Sequence, residues 1–178
     1  MGALRIILLL CVLFCGEIKA QNEEDRVLAW TKERRLTWAD YQGEPLKTEW
    51  ASATTASGIT YALSSTIGND KSQLEIVVAS LFYPDKSWYK PELCNEVVLS
   101  HEQVHFDITE LFARKFRERL KSVKNDVNVK KNVRSIFVEI NKELNAFQNK
   151  YDRETNFSRD LVQQLIWNKE VEEALVEK

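Results

Sequence analysis

His101-Glu102-Gln103-Val104-His105 is the stretch of this 178-residue sequence whose residue types and spacing specify a chemistry. Residues four apart on an α-helix differ by about 40° in direction and about 6 Å in height, so two imidazoles placed this way converge on one ion at about 2.0–2.1 Å each. Glu102 stands about 100° around the helix from His101. From there its carboxylate reaches a zinc-activated water without being a ligand and takes the proton as the hydroxide attacks a carbonyl. Both histidines of the chain lie in this motif. His101 and His105 are therefore expected to hold one Zn2+ ion, with Glu102 as the catalytic general base.

A catalytic zinc normally takes three protein ligands and a water. On the same helix Asp107 points about 200° and Glu110 about 140° away from His105, so neither reaches the ion. Cys94 shares the face of His101 but lies about 10 Å along the axis. Ile108 and Leu111 stand where the metzincin pattern needs a glycine and a third histidine, which excludes that class. The third ligand must come from downstream. Glu139, Glu143, Asp152 and Glu154 are the carboxylates from which to choose.

The motif has to be held by the elements around it. Ser57 to Ser64 alternates with period two, Gly68-Asn69-Asp70 supplies turn chemistry, and Leu74 to Tyr83 is a second, more apolar run, which together predict a β-hairpin. From Pro91 the period becomes helical, with Val97, His101, Val104, His105, Ile108, Leu111, Phe112 and Phe116 on one face as far as about Val123. A second helix is expected from about Val129 to Tyr151, with Val133, Ile136, Phe137, Ile140, Leu144 and Phe147 inward. A third is expected from about Ser158 to Val176, with Leu161, Leu165, Ile166, Val171 and Leu175 inward. Strands followed by helices predict an α+β domain, a small antiparallel sheet packed on three helices. The strand Leu74–Tyr83, which precedes the motif helix, is the expected edge for a peptide to join by main-chain hydrogen bonds. Trp38 and Trp88 are candidates to line a cleft. Tyr151 reads as helix packing, with donation to an oxyanion as its functional alternative.

Met1 to Arg5 is a short basic start, Ile6 to Phe14 an apolar run, and Ile18-Lys19-Ala20 ends on a small residue. That is the layout of a secretory signal at 1–20, too short to span a bilayer, followed by one domain over 21–178. The protein is expected to be exported and to have no stable membrane insertion once the signal is removed. The remaining chain carries a net charge of −3 with no basic stripe, which argues against nucleic acid as a partner. Cys11 and Cys15 leave with the signal, so Cys94 has no partner in the chain and reads as a small buried hydrophobe.

Several stretches carry a resemblance that runs, in order, through nearly the whole expected domain. They are Leu36-Thr37-Trp38-Ala39-Asp40-Tyr41-Gln42-Gly43, Ser87-Trp88, His101-Glu102-Gln103-Val104-His105-Phe106-Asp107-Ile108, Tyr151-Asp152-Arg153-Glu154-Thr155 and Trp167. In these the sequence resembles a bacterial family of exported proteins of unknown function that are described as secreted zinc-dependent proteases, many of them from Bacteroidetes. The resemblance implies a zincin-like peptidase domain acting on peptide or protein substrates. The family pattern continues after Tyr-Asp-x-Glu-Thr with one variable residue and a histidine, a third zinc ligand. Here Phe157 occupies that position. Two readings follow: Glu154 is the third ligand of an active peptidase, or the metal site is degraded and the chain is a non-catalytic binding or envelope protein.

Overall fold

The structure is a computed structural model that describes residues 27–49, 51–68 and 71–176. The expected signal, Trp50 and the turn residues Asn69 and Asp70 lie outside the described residues. The arrangement is α+β, with two small antiparallel sheets preceding three helices.

The hairpin is longer than the alternation suggests: β3 (Ser57–Gly68) pairs with β4 (Lys71–Phe82) from Ser57↔Phe82 to Gly68↔Lys71. A short strand, β1 (Leu28–Ala29), pairs with the far end of β4, giving the order β1-β4-β3. Ile59, Tyr61 and Leu63 on β3, with Ile76 and Val78 on β4, turn one face toward the helices. Thr60, Ala62, Glu75 and Val77 face solvent, as expected of an antiparallel sheet covered on one side. The second sheet is two short strands, β2 (Ala53–Thr54) and β5 (Trp88–Tyr89).

Helix α1 (Glu96–Leu120) is the central element, packed on the hairpin and on both other helices. It begins five residues after Pro91, because the Asn95 side chain accepts hydrogen bonds from the N–H groups of Val97 and Val98 and so fixes the N-terminus there. Pro91–Leu93 forms a separate 3-10 turn. Val104, Ile108, Phe112 and Phe116 join Ile59 and Val78 of the hairpin to Ile140 and Leu144 of α2 (Val129–Glu154) and to Trp167 and Val171 of α3 (Leu161–Val176). Phe106, on another side of α1, packs with Leu36, Tyr41 and Phe82. Surrounded in this way, the middle of α1 is buried, and its polar residues there require partners inside the protein.

Two expected faces are corrected. α3 docks through Gln164, Trp167 and Val171, while Leu161, Leu165 and Ile166 are 56%, 68% and 43% exposed. Its apolar residues nearly encircle the helix, so periodicity alone does not select the buried side. β4 pairs with β3 along one side and with β1 only at Leu81 and Phe82 on the other, and none of its residues lines the cavity that contains His101 and His105, so it is not the strand that borders the site. No described helix is long and apolar enough to cross a membrane.

Candidate metal centre

α1 presents His101 and His105 toward α2, and the residue that meets them is Asp152. Asp152 Oδ1 lies 3.2 Å from His101 Nε2 and 3.0 Å from His105 Nε2, and the two nitrogens are 3.2 Å apart. A tetrahedral zinc with bonds of about 2.0–2.1 Å separates its ligand atoms by about 3.3 Å. The three donor atoms thus form a triangle close to one face of a zinc tetrahedron. Among the described residues they are the one such group of three histidine, cysteine or acidic side chains.

The tautomers follow from the surrounding hydrogen bonds. Gln164 Nε2 donates to the Tyr151 hydroxyl (2.6 Å) and to Asn168 Oδ1 (2.7 Å), which leaves its Oε1 to accept from His101 Nδ1 at 2.9 Å. Asn168 is itself oriented by donating to Ser100 Oγ. Gln148 Nε2 donates to the His105 carbonyl at 3.0 Å, and its Oε1 accepts from His105 Nδ1. With both Nδ1 atoms protonated, neutral imidazoles aim two Nε2 lone pairs and a carboxylate oxygen at one point. Such an arrangement is repulsive until a cation or a proton occupies it. Tyr151, fully buried, stacks on the His101 ring with centroids 4.5 Å apart and donates its hydroxyl to the His101 carbonyl. That hydroxyl is committed to positioning, and burial pushes the phenol well above its usual pKa. Because orienting partners of ligand histidines typically contribute about 10–100-fold to metal affinity, Gln164→Leu and Gln148→Leu are each expected to weaken zinc binding by that range in competition titrations against a chelator.

Glu102 lies on the cleft side of α1 and is 5% exposed. Its carbonyl accepts from Thr55 Oγ1, which also bonds the Tyr41 hydroxyl, but its carboxylate oxygen Oε2 is buried without a hydrogen-bond partner. A buried carboxylate oxygen left so costs at least about 1–3 kcal/mol, which suits a site that receives a cation and a water. Together with the two-imidazole, one-carboxylate set, this orphaned atom fits a bound zinc, with His101, His105 and Asp152 as the residues to hold it.

Electrostatics of the metal-free triad have a readable sign. Burial by itself lowers the pKa of His105, but the Asp152 carboxylate and the nearby Glu102 charge outweigh it and raise it above 6.5. Burial pushes the Asp152 carboxyl up, and the two imidazoles outweigh it, holding the carboxyl well below its usual range. The raised His105 contributes stability below its unfolded pKa that is lost as pH rises through the folded value. The depressed Asp152 contributes stability above its unfolded pKa that is lost as pH falls. The pair therefore stabilises the metal-free protein mainly between about pH 4 and about pH 6.5. Zinc competes with that proton, so the rise in Tm on adding zinc is expected to grow from about pH 5 to about pH 8, measured against chelator-treated protein at each pH.

The triad opens into a cavity of about 490 Å³. One side is the chain from Ala51 to Thr55, including β2; others include Gln148 on α2 and Phe157 in the α2–α3 turn. Lys90 holds that chain in place by donating from Nζ to the carbonyls of Thr48 and Ala51 and from its backbone N–H to Ser52. Trp38 and Trp88 do not line the cavity: Trp38 stacks on Tyr89 and Trp88 is buried.

The remaining candidates are placed elsewhere. Glu154 accepts from Trp167 Nε1 at 3.0 Å and faces Lys150, away from the imidazoles. The reason is helical phase: α2 runs on to Glu154, three residues beyond the expected end, and residues two apart on a helix point about 200° apart, so Asp152 inward puts Glu154 outward. Glu143 pairs with Arg119, and Glu139 is exposed. Asp107 is held by Trp30, Arg35 and Gln103, and Glu110 by Ser80, Arg114 and Arg117, on the sides of α1 away from the cleft. Half-buried Cys94 donates to the Ser52 carbonyl, and burial raises its thiol pKa. Gln148 and Gln164 are not among the residues singled out from the sequence, and Asp152 is there only as one of four candidate carboxylates, although Gln148 and Asp152 continue the inward Ile140–Leu144 stripe at four-residue steps. Polar residues on an otherwise apolar stripe were the available signal.

No curated protein and no solved structure matches the chain. Residues 18–159, most of the sequence, match the family described as bacterial protein of unknown function, DUF922. The chain belongs to this DUF922 family.

Proposed function

We propose that the protein is an exported zinc-dependent peptidase in which His101, His105 and Asp152 hold the ion and Glu102 is the general base. The observation that carries this reading is the triangle of donor atoms, 3.0–3.2 Å on each side, at the floor of an open cleft. A bound zinc would polarise a peptide carbonyl and make water acidic enough to attack it near neutral pH. Glu102 would take the proton from the attacking water and deliver it to the leaving amine, a role supported by its place in the cavity lining and its unpartnered carboxylate oxygen. β2 is the strand available to a substrate, since it pairs with β5 along one edge and no described strand covers the other. The Lys90 N–H bonds the Ser52 carbonyl, so antiparallel alternation turns the backbone of Ala53 away from β5. A peptide laid along that edge would be held by main-chain hydrogen bonds with its carbonyl beside the triad.

The alternative of a degraded, non-catalytic site was motivated by Phe157. With Asp152 beside both histidines, the lack of a histidine at 157 is no longer a reason to infer lost coordination. The same donor set also suits iron(II), and elemental analysis separates the two metals. Hydrolysis of a mixed peptide substrate that is abolished by chelation and restored by zinc is the expected result. Zinc-loaded protein that cleaves no peptide would overturn the reading.

A further inference from the structure

We propose that Phe157 and Leu93 form an apolar subsite on the rim of the metal cleft, so that the cleft selects a substrate with a large apolar side chain beside the bond to be cut. The inference rests on the peptidase reading and deepens it to a substrate class.

Both side chains line the cavity, and both are more than half exposed to water, Phe157 at 51% and Leu93 at 56%. Leu93 comes from the turn before α1 and Phe157 from the turn after α2, so the fold brings them to one cleft from separate elements. The chain from Ala51 to Thr55 contributes only small side chains to the same cavity. With the partly buried Val98 beside them in the lining, Phe157 and Leu93 are thus the largest and most exposed apolar surfaces that a side chain entering the cleft would cover, and covering exposed apolar area is the non-directional driving force for such selection.

The backbone that carries Phe157 gives an independent reason. Asn156, Phe157 and Ser158 have φ of 47°, 52° and 68°, three consecutive non-glycine residues in the left-handed region. Asparagine tolerates that region, whereas phenylalanine and serine adopt it at a cost. Strain of this kind persists where the surroundings over-determine it, and it concentrates at functional sites. Here the turn is tied to the site itself. The Phe157 N–H donates to the Asp152 carbonyl at 2.8 Å, and Thr155, fully buried, donates its hydroxyl to the Tyr151 carbonyl. The turn therefore ties the Phe157 backbone to the segment that carries Asp152.

The test uses two synthetic peptides of equal length and charge that differ at one central position, Phe against Ser. Binding is followed by fluorescence anisotropy on zinc-loaded Glu102→Gln protein, which does not need turnover, and cleavage on the protein with Glu102 intact. The expected result is a preference for the Phe peptide of at least about tenfold, as a single apolar group can supply. Phe157→Asn, which suits the left-handed turn, should bring the two peptides close to equality, and Leu93→Ser should narrow the gap. Phe157→Leu should keep most of it. Equal binding of both peptides by zinc-loaded protein, no binding of either, or a preference that survives Phe157→Asn would overturn the inference while leaving the metal site standing. Protein that takes up no zinc would instead overturn the reading on which it rests.

Discussion

Asp152→Ala is expected to lower zinc affinity by more than about 100-fold, and Glu154→Ala to leave it within a factor of about two. The bound of 100 comes from the orienting residues: if loss of a hydrogen bond to a ligand histidine weakens metal binding by about 10–100-fold, loss of a ligand must do more. The contrast is the informative part. Both carboxylates lie in the same five-residue segment, and both fit the count of ligands. Helical phase separates them, since Asp152 Oδ1 sits 3.0 and 3.2 Å from the two Nε2 atoms while Glu154 is bonded to Trp167. Asp152→Asn keeps the shape and removes the charge, so its zinc affinity should fall between those of the native protein and the alanine variant. Competition against a chromophoric chelator measures all three. Equal zinc affinity for Asp152→Ala and the native chain would mean that the triangle is an ion pair and nothing more.

Glu102→Gln carries the second large effect. The variant is expected to keep one zinc per chain and to lose about 10²–10⁴-fold in kcat, the range for removal of a positioned general base. Affinity for substrate should change little, because the carboxylate acts on the proton of water rather than on the bound peptide. Folding stability should not fall. Glu102 Oε2 is buried without a partner, and a neutral amide is less costly to bury than a carboxylate. Thermal unfolding of the metal-free variant at or above the native Tm, alongside the loss of turnover, would separate a chemical role from a structural one. A variant that cleaves peptides as fast as the native protein would remove Glu102 from the mechanism.

The architecture was largely legible in the sequence because its signals are local. Alternation at Ser57–Ser64 and the change to helical period after Pro91 identify the hairpin and α1 without reference to the rest of the chain. What local pattern could not decide was phase. Ending α2 at Tyr151 puts Asp152 and Glu154 together in a loop, where Glu154 is the expected ligand; carrying the helix three residues further turns Asp152 inward and Glu154 outward. On α3, Leu161, Leu165 and Ile166 look more like a core than Gln164 does. Yet Gln164 is 2% exposed and bonds His101, while the leucines face solvent. The same confusion hid Gln148. In each case a polar side chain faces inward, Gln164 buried and Gln148 half-buried, because it completes a hydrogen-bond network around the histidines, a gain visible only when three helices are assembled. Phe157 misled in another way. Its place in the family pattern points either to Glu154 as the third ligand or to a degraded site, whereas the position lines the cleft in a left-handed turn, and the carboxylate beside both histidines stands five residues earlier.

Every role assigned to the cleft depends on one proposed arrangement, two imidazoles and the Asp152 carboxylate holding one zinc. X-ray absorption at the zinc edge of the purified, zinc-supplied protein tests it most directly. The expected spectrum shows one zinc per chain with two imidazole nitrogens and one carboxylate oxygen at about 2.0–2.2 Å, and loss of that oxygen in Asp152→Ala. Protein that retains no zinc at micromolar supply, or a coordination shell that Asp152→Ala leaves unchanged, would contradict it.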